Sequence, residues 1–362
     1  MKIGVCTGGG DCPGLNAAIR AIAQHGNESY GFQVYGIFDS YNGLESRPIR
    51  AIELSKDHVH DILDRGGTIL GTYNRGGLFT DPGGHERAKR VIGGIKSLNL
   101  DALIVIGGEG TQTMAQYLVD QGVPVIGVPK TIDNDLPETD QTIGFASCVS
   151  LVADSLNRLR STAESHDRVM ILEVMGRDSG FIALHGGIAG GADIILLPEV
   201  PFSYDEVIDK LQRRKQQGRK YSLVVVSEGA YEKSSEPHYK SNVGGKMNLG
   251  GIGQMVAHKV YEATGMETRV TVLGHLQRGG SPVAEDKLLA TRFGIHAVDL
   301  VAQKKFGQVV VLQEGKITQV PYSMIEKFAR RKIGPNDSYL LAAEGVGISL
   351  GRARRSIHSH QQ

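Results

Sequence analysis

The run Pro129-Lys130-Thr131-Ile132-Asp133-Asn134-Asp135-Leu136-Pro137-Glu138-Thr139-Asp140 puts five acidic or amide side chains within eight positions. Charges that dense repel one another unless a cation or a proton-accepting task accompanies them. The apolar run 123–128 ahead of it reads as a buried strand, which sets the acidic group at that strand's carboxyl end. In open α/β sheets ligands bind along that edge. Taken alone, a solvated acidic loop explains the run better. Two glycine turns change the balance. Gly8-Gly9-Gly10-Asp11 lies between a strand at 2–7 and a helix from about 16 to 26. Gly107-Gly108-Glu109-Gly110-Thr111 lies between a strand at 102–106 and a helix to about 121, with Thr111 as the expected cap. Bare amides at a helix start suit an anion. Glu109 suits a hard cation such as Mg²⁺, held through one or two carboxylates and ligand phosphates. A nucleotide-phosphate and magnesium site follows as the expectation, although the first turn has neither the dinucleotide nor the Walker spacing.

The elements that must position these turns alternate. Beyond the strands named, 33–38, 169–174, 194–197, 223–227, 268–272 and 309–312 read as strands. Helices are expected at 55–65, closed by Gly66-Gly67, and at 86–98, 144–165, 252–264 and 284–304. Ser203 with Glu206 predicts a capping box for a further helix to about 216. Loops are expected at 68–84, which carries Arg75, and at 233–247, and a polar strand end at 274–282. The tail after 334 reads as a frayed or partner-contacting end. The alternation predicts an α/β protein: two doubly wound, mostly parallel α/β domains with the active site in the cleft between them.

The 362 residues carry 40 Lys and Arg against 39 Asp and Glu, a net charge of +1. No basic excess points to nucleic acid as a partner. Three cysteines without metal or disulfide spacing fit a reducing compartment, and Cys6 and Cys12 read as small buried residues. No run approaches the roughly 20 apolar residues that span a bilayer, and the chain enters a strand at once. No membrane partner and a cytoplasmic location are expected.

Five motifs in order resemble those of the 6-phosphofructokinases: 8–16, 107–111, 130–135, Met175-Gly176-Arg177, and Gly274-His275-Leu276-Gln277-Arg278-Gly279-Gly280-Ser281-Pro282. The resemblance runs from the first strand to about residue 320. It implies an ATP-binding domain at 1–143 plus about 277–325, a fructose 6-phosphate domain at about 144–276, and a C-terminal helix and tail at about 326–362. It implies magnesium-dependent transfer of the ATP γ-phosphoryl group to the 1-hydroxyl of fructose 6-phosphate. Asp133 then resembles the base, with Thr131 at the reacting centre and Arg177 stabilising the transferring group. Glu109 stands where the family has a magnesium-linked Asp, one methylene longer. Gly10, Arg75, Gly108, Gly110 and Thr111 fall on nucleotide positions. Thr131, Ile132, Met175, Gly176, Glu228, His275, Leu276, Gln277 and Arg278 fall on sugar-phosphate positions. Arg168 and Arg269 match arginines that, in the family, come from an adjacent subunit, so a homotetramer, or a dimer at minimum, is implied.

Pyrophosphate-using relatives carry Asp at the position of Gly110 and Lys at that of Lys130, so Gly110 points to ATP while Lys130 leaves both donors open. Arg20, Lys56, Arg160 and Arg219, with Asp193, match part of an effector site, whereas Gln24 and Gln217 replace cations there. The alternatives are a pyrophosphate-dependent enzyme, a catalytically silent sensor on the same fold and, more distantly, a nicotinamide oxidoreductase.

Overall fold

Short apolar runs become strands, and the amphipathic stretches between them become helices. The computed structural model describes residues 1–73, 77–235, 239–241, 247–324 and 330–353. In chain order the elements are β1 (Lys2–Gly8), α1 (Leu15–Tyr30), β2 (Gln33–Ile37), α2 (Asn42–Glu45), β3 (Ala51–Glu53), α3 (Lys56–Val59), α4 (Gly84–Ser97), β4 (Ala102–Gly107), α5 (Glu109–Asp120), β5 (Val125–Pro129) and α6 (Phe145–Ser165). Then come β6 (Val169–Val174), α7 (Phe181–Ala189), β7 (Ile194–Leu196), α8 (Tyr204–Gln216), β8 (Ser222–Ser227), β9 (Tyr239–Ser241), β10 (Met247–Leu249), α9 (Ile252–Thr264) and β11 (Thr268–Val272). A 3₁₀ turn (Gly274–Arg278) leads to α10 (Ala284–Ala302), β12 (Gln308–Gln313), β13 (Lys316–Pro321) and α11 (Ser338–Gly345).

The chain divides into two compact units, Met1–Ser147 with Arg278–Arg330, and Cys148–Gln277 with the chain from Arg331 onward. The first holds a seven-stranded sheet of order β13-β12-β5-β4-β1-β2-β3. Its five inner strands are parallel, and only the edges β3 and β13 pair antiparallel. β4 and β5 are buried along their whole length, as parallel strands covered on both faces must be. Leu103, Val105, Val125 and Val309 pack there with Tyr41 and Phe79. The second unit holds a four-stranded parallel sheet of order β11-β6-β8-β7, with Ile171, Leu196, Val224 and Val256 in its core. Both are α/β folds with mostly parallel sheets. Among the described residues no helix is long and apolar enough to cross a membrane.

Several local expectations are corrected. The helix expected at 55–65 is only the four residues of α3, and beyond it Asn16 Nδ2 donates to the Arg65 and Gly66 carbonyls. Thr111 does not cap α5; the helix starts two residues earlier, at Glu109 after Gly108. Ser203 stands at the start of α8, but its side chain makes no cap bond. The stretch 233–247 contains the hairpin strand β9 and the start of β10. The tail is not simply frayed: Asp337 accepts from Tyr339 N and Leu340 N at 2.9 and 3.3 Å to cap α11, which buries Leu340 and Ala343.

Candidate active site

In the first unit the strand order reverses between β1 and β4, so the turns after these two strands flank the point where an open sheet leaves a crevice at its carboxyl edge. The turn after β1 is held from two sides. Lys130 Nζ donates to the Gly10 carbonyl, and Arg278 Nη1 donates to the Asp11 carbonyl at 3.2 Å. A Cβ at Gly10 would lie 2.5 Å from that guanidinium nitrogen, so glycine is what lets Arg278 lie over the turn. The turn after β4 is fixed by Gln112, fully buried, whose Nε2 donates to the carbonyls of Val105, Gly107 and Val128. Tyr322 donates its hydroxyl to Gln112 Oε1 at 2.5 Å. Among the described residues, a Cβ at Gly110 would meet only Leu78 Cδ2, at an ordinary contact distance of 3.9 Å. Thr111 packs its side chain against Gly8 and Gly107, joining the two turns.

The acidic loop follows β5 beside them. Lys130 N donates to the Gly107 carbonyl at 3.0 Å. The loop closes on itself: Asn134, at φ +53°, accepts from Thr142 N and donates to the Asp140 carbonyl, while Thr142 Oγ1 donates to the Thr131 carbonyl at 2.6 Å. Such internal pairing lets Asn134 be buried, and Asp135 is buried beside it, whereas a solvated acidic loop would leave both exposed. Ile132 is buried as well, an anchor for the loop. The Thr131 hydroxyl accepts from Asp133 N at 3.2 Å and lies 3.5 Å from the Asp133 carboxylate.

Burial pushes the Asp133 carboxyl up, opposed by Arg278, Arg330, the Thr131 hydroxyl and Lys130. Asp135 is pushed up to about 6, by burial first and Asp133 second, with Arg330 opposing. Burial lowers Lys130. Arg330 Nε lies 2.6 Å from Glu109 Oε2 and 3.8 Å from Asp135 Oδ2, so one guanidinium touches both the glycine turn and the acidic loop. Burial also pushes the Cys6 and Cys12 thiols up to about 12, which leaves neither as a thiolate.

Among the described residues no three His, Cys, Asp or Glu side chains gather closely enough to hold a metal ion by themselves. Glu109 and Asp135, converging on one cation, fit Mg²⁺ instead, which binds through one or two carboxylates and completes its shell with water and phosphate oxygens.

In the second unit a different set converges at the carboxyl ends of β6, β8 and β11. Gln277, buried, accepts from Met175 N at 3.3 Å and donates to the Gly274 carbonyl at 3.1 Å. The Gly176 carbonyl accepts from Ser227 Oγ and Gly229 N, which brings Glu228 beside Met175. Arg177, His275 and Leu276 are exposed. Arg168 and Arg269 do not join this group. They lie at the amino ends of β6 and β11, where both pair with Glu267; Arg168 Nε is 2.8 Å from its carboxylate. Arg75 lies outside the described residues.

Of the effector-site set, Asp193 pairs with Arg214 at 2.8 Å, and Arg160 donates to the Gly190 carbonyl. Sequence reading missed Asp135, Glu267 and Arg330 as members of these clusters. The Thr-Ile-Asp-Asn-Asp run and the cation run Arg330-Arg331-Lys332 were the available signals.

Bare-amide turns beside carboxylates suit the handling of phosphates with a hard cation, and similarity to known proteins agrees. A family model described as phosphofructokinase matches residues 2–301. The chain is 46% identical over 346 residues to the pyrophosphate–fructose 6-phosphate 1-phosphotransferase of Amycolatopsis methanolica, covering 94% of this chain and 98% of that one. It is 45% identical over 356 residues to the ATP-dependent 6-phosphofructokinase of Chloroflexus aurantiacus, covering 97% and 98%. A phosphofructokinase structure from Saccharomyces cerevisiae matches with a TM-score of 0.78 at 31% identity, covering 98% of this chain and 48% of that one, so this chain spans about half its length. The chain belongs to the phosphofructokinase family. It is a phosphotransferase.

Proposed function

We propose that this protein transfers the γ-phosphoryl group of ATP to the 1-hydroxyl of fructose 6-phosphate, giving fructose 1,6-bisphosphate and ADP, the committing step of glycolysis in the cytoplasm. The observation that carries the reading is the meeting of the 107–111 turn and the Asp133 loop around one guanidinium, since donor and acceptor groups must come within bonding distance of one phosphorus.

Phosphoryl transfer proceeds through a loose transition state, so the protein mainly positions groups and neutralises charge. Gly10, Gly108, Gly110 and Thr111 cradle the donor phosphates. Glu109, with Asp135 beside it, would hold Mg²⁺, whose contribution when bound is to offset the charge of the donor phosphates. Asp133 orients the sugar hydroxyl and takes its proton late, because a carboxylate is too weak a base to remove it outright. Burial raises its basicity in the useful direction. Thr131 fixes the Asp133 carboxylate, and Arg177 stabilises the transferring group. Met175, Gly176, Glu228, His275, Leu276, Gln277 and Arg278 hold the sugar phosphate.

Relatives whose names give ATP and pyrophosphate as donor are nearly equally similar. The room that the described residues leave at Gly110 supports ATP, because the nucleotide's further phosphates and nucleoside need it. Buried Lys130 beside Gly10 keeps pyrophosphate as the second reading. The assembly proposed is a homotetramer, with a dimer as the smallest competent form. Its support is that β6, six residues or about 20 Å long, separates Arg168 from Met175. A strand's length thus lies between one chain's Arg168 and its own Met175, and Arg269, opposite Met170, lies at the same amino end.

Purified protein assayed with each donor tests the reading. ATP should give the higher kcat/KM, and a higher value for pyrophosphate would reverse the donor assignment. Asp133→Asn should lower kcat by about 10²–10³-fold with fructose 6-phosphate binding little changed. An unaltered kcat at saturation would remove the base role.

A further inference from the structure

Arg330 closes the first unit, far along the chain from the turns that form the site. Its Nε pairs with Glu109 at 2.6 Å and approaches Asp135 at 3.8 Å. Glu109 comes from the start of α5, and Asp135 from the loop after β5. Two carboxylates this close, with Asp133 next to them, repel one another and drift apart or take up protons unless a positive charge sits with them. In this chain that charge is a guanidinium, which stays protonated at every working pH.

We propose that Arg330 is a positioning residue for the reaction's divalent cation. Its guanidinium holds Glu109 and Asp135 together as a tethered stand-in cation, and it must withdraw when the cation–nucleotide complex arrives. This rests on the reading of Glu109 as a cation carboxylate. The pair is weak enough to be displaced, because Arg330 and Glu109 are each more than a third exposed and a solvent-screened ion pair contributes little. A dication that brings phosphate oxygens with it outcompetes one such contact. A bare cation has no such help, so Arg330 disfavours it and leaves the site to the cation already bound to nucleotide.

Mn²⁺ alone, titrated into the full chain without nucleotide and followed by the paramagnetic signal of the free ion, tests this directly. Arg330→Gln should bind Mn²⁺ about 2–5-fold more tightly than the wild type. Arg330→Lys, which keeps the charge, should stay near the wild type. In a Glu109→Gln background, Arg330→Gln should make less difference, since the guanidinium has lost its partner. Equal or weaker Mn²⁺ binding by Arg330→Gln overturns the proposal. So does a tenfold loss of metal-free ATP binding in that variant with Mn²⁺ binding unmoved, which would make the guanidinium a phosphate ligand. A wild-type chain that neither binds Mn²⁺ nor turns over sinks the cation reading itself. Normal turnover with identical Mn²⁺ binding in wild type and Arg330→Gln sinks the Arg330 proposal alone.

Discussion

In the proposed reading, the missing Cβ at position 110 is what favours ATP over pyrophosphate as the donor. Among the described residues, the space it would enter meets only Leu78, at contact distance. Gly110→Asp puts bulk and a negative charge there, facing the phosphates of a nucleotide. The expected result is a loss in kcat/KM for ATP of roughly 10–100-fold, with pyrophosphate less affected; Gly110→Asn, bulky but neutral, should fall between. Equal kinetics for all three with ATP would show that position 110 does not choose the donor. At this scale chemistry and spacing in the sequence drew notice to Glu109, Thr131 and Asp133, which lie on the turn and the loop that meet at Arg330. The sequence placed Asp135 in the acidic run without a role of its own and was silent on Glu267 and Arg330, which gain meaning only from a neighbour distant in the chain.

Among the elements, α11 differs most from its sequence reading. The stretch lacks a strong apolar stripe, so nothing local sets it apart from a tail. Its partner supplies what it lacks: His185 of α7 packs against Tyr339 of α11 with ring centroids 4.0 Å apart and the planes tilted by 35°. Burial lowers the His185 imidazole to about 4, with Asp337 opposing and Arg331 adding to the shift. A histidine held neutral in the fold binds its proton more readily when unfolded. Its contribution is therefore complete above the ordinary histidine range and is lost as pH falls from about 6.5 toward about 4. Urea midpoints at pH 7.5 and 4.5 should show His185→Gln losing less stability on acidification than the wild type, by on the order of 2 kcal/mol. Parallel losses in both proteins would mean that the ring is free to protonate in place.

For the whole molecule, the placement of Arg168 and Arg269 at the amino ends of their strands makes the strongest demand. If they serve a neighbouring subunit, two inactive variants should repair each other. Asp133→Asn and Arg269→Ala chains, unfolded together and refolded as mixed oligomers, should regain activity that neither has alone. In a mixed assembly some sites combine an intact Asp133 with an intact Arg269. No recovery, with mixed oligomers verified by mass, would place the arginine's action within its own chain. The sequence by itself determined the α/β class, the strand-end turns and the family, because hydrophobic period and turn chemistry are properties of adjacent residues. Only the tertiary structure decided that Glu109 and Arg330, 221 positions apart, share a contact and that Glu267 holds two arginines at once. Those pairings depend on where the sheets bring chain segments together, and no local spacing encodes that.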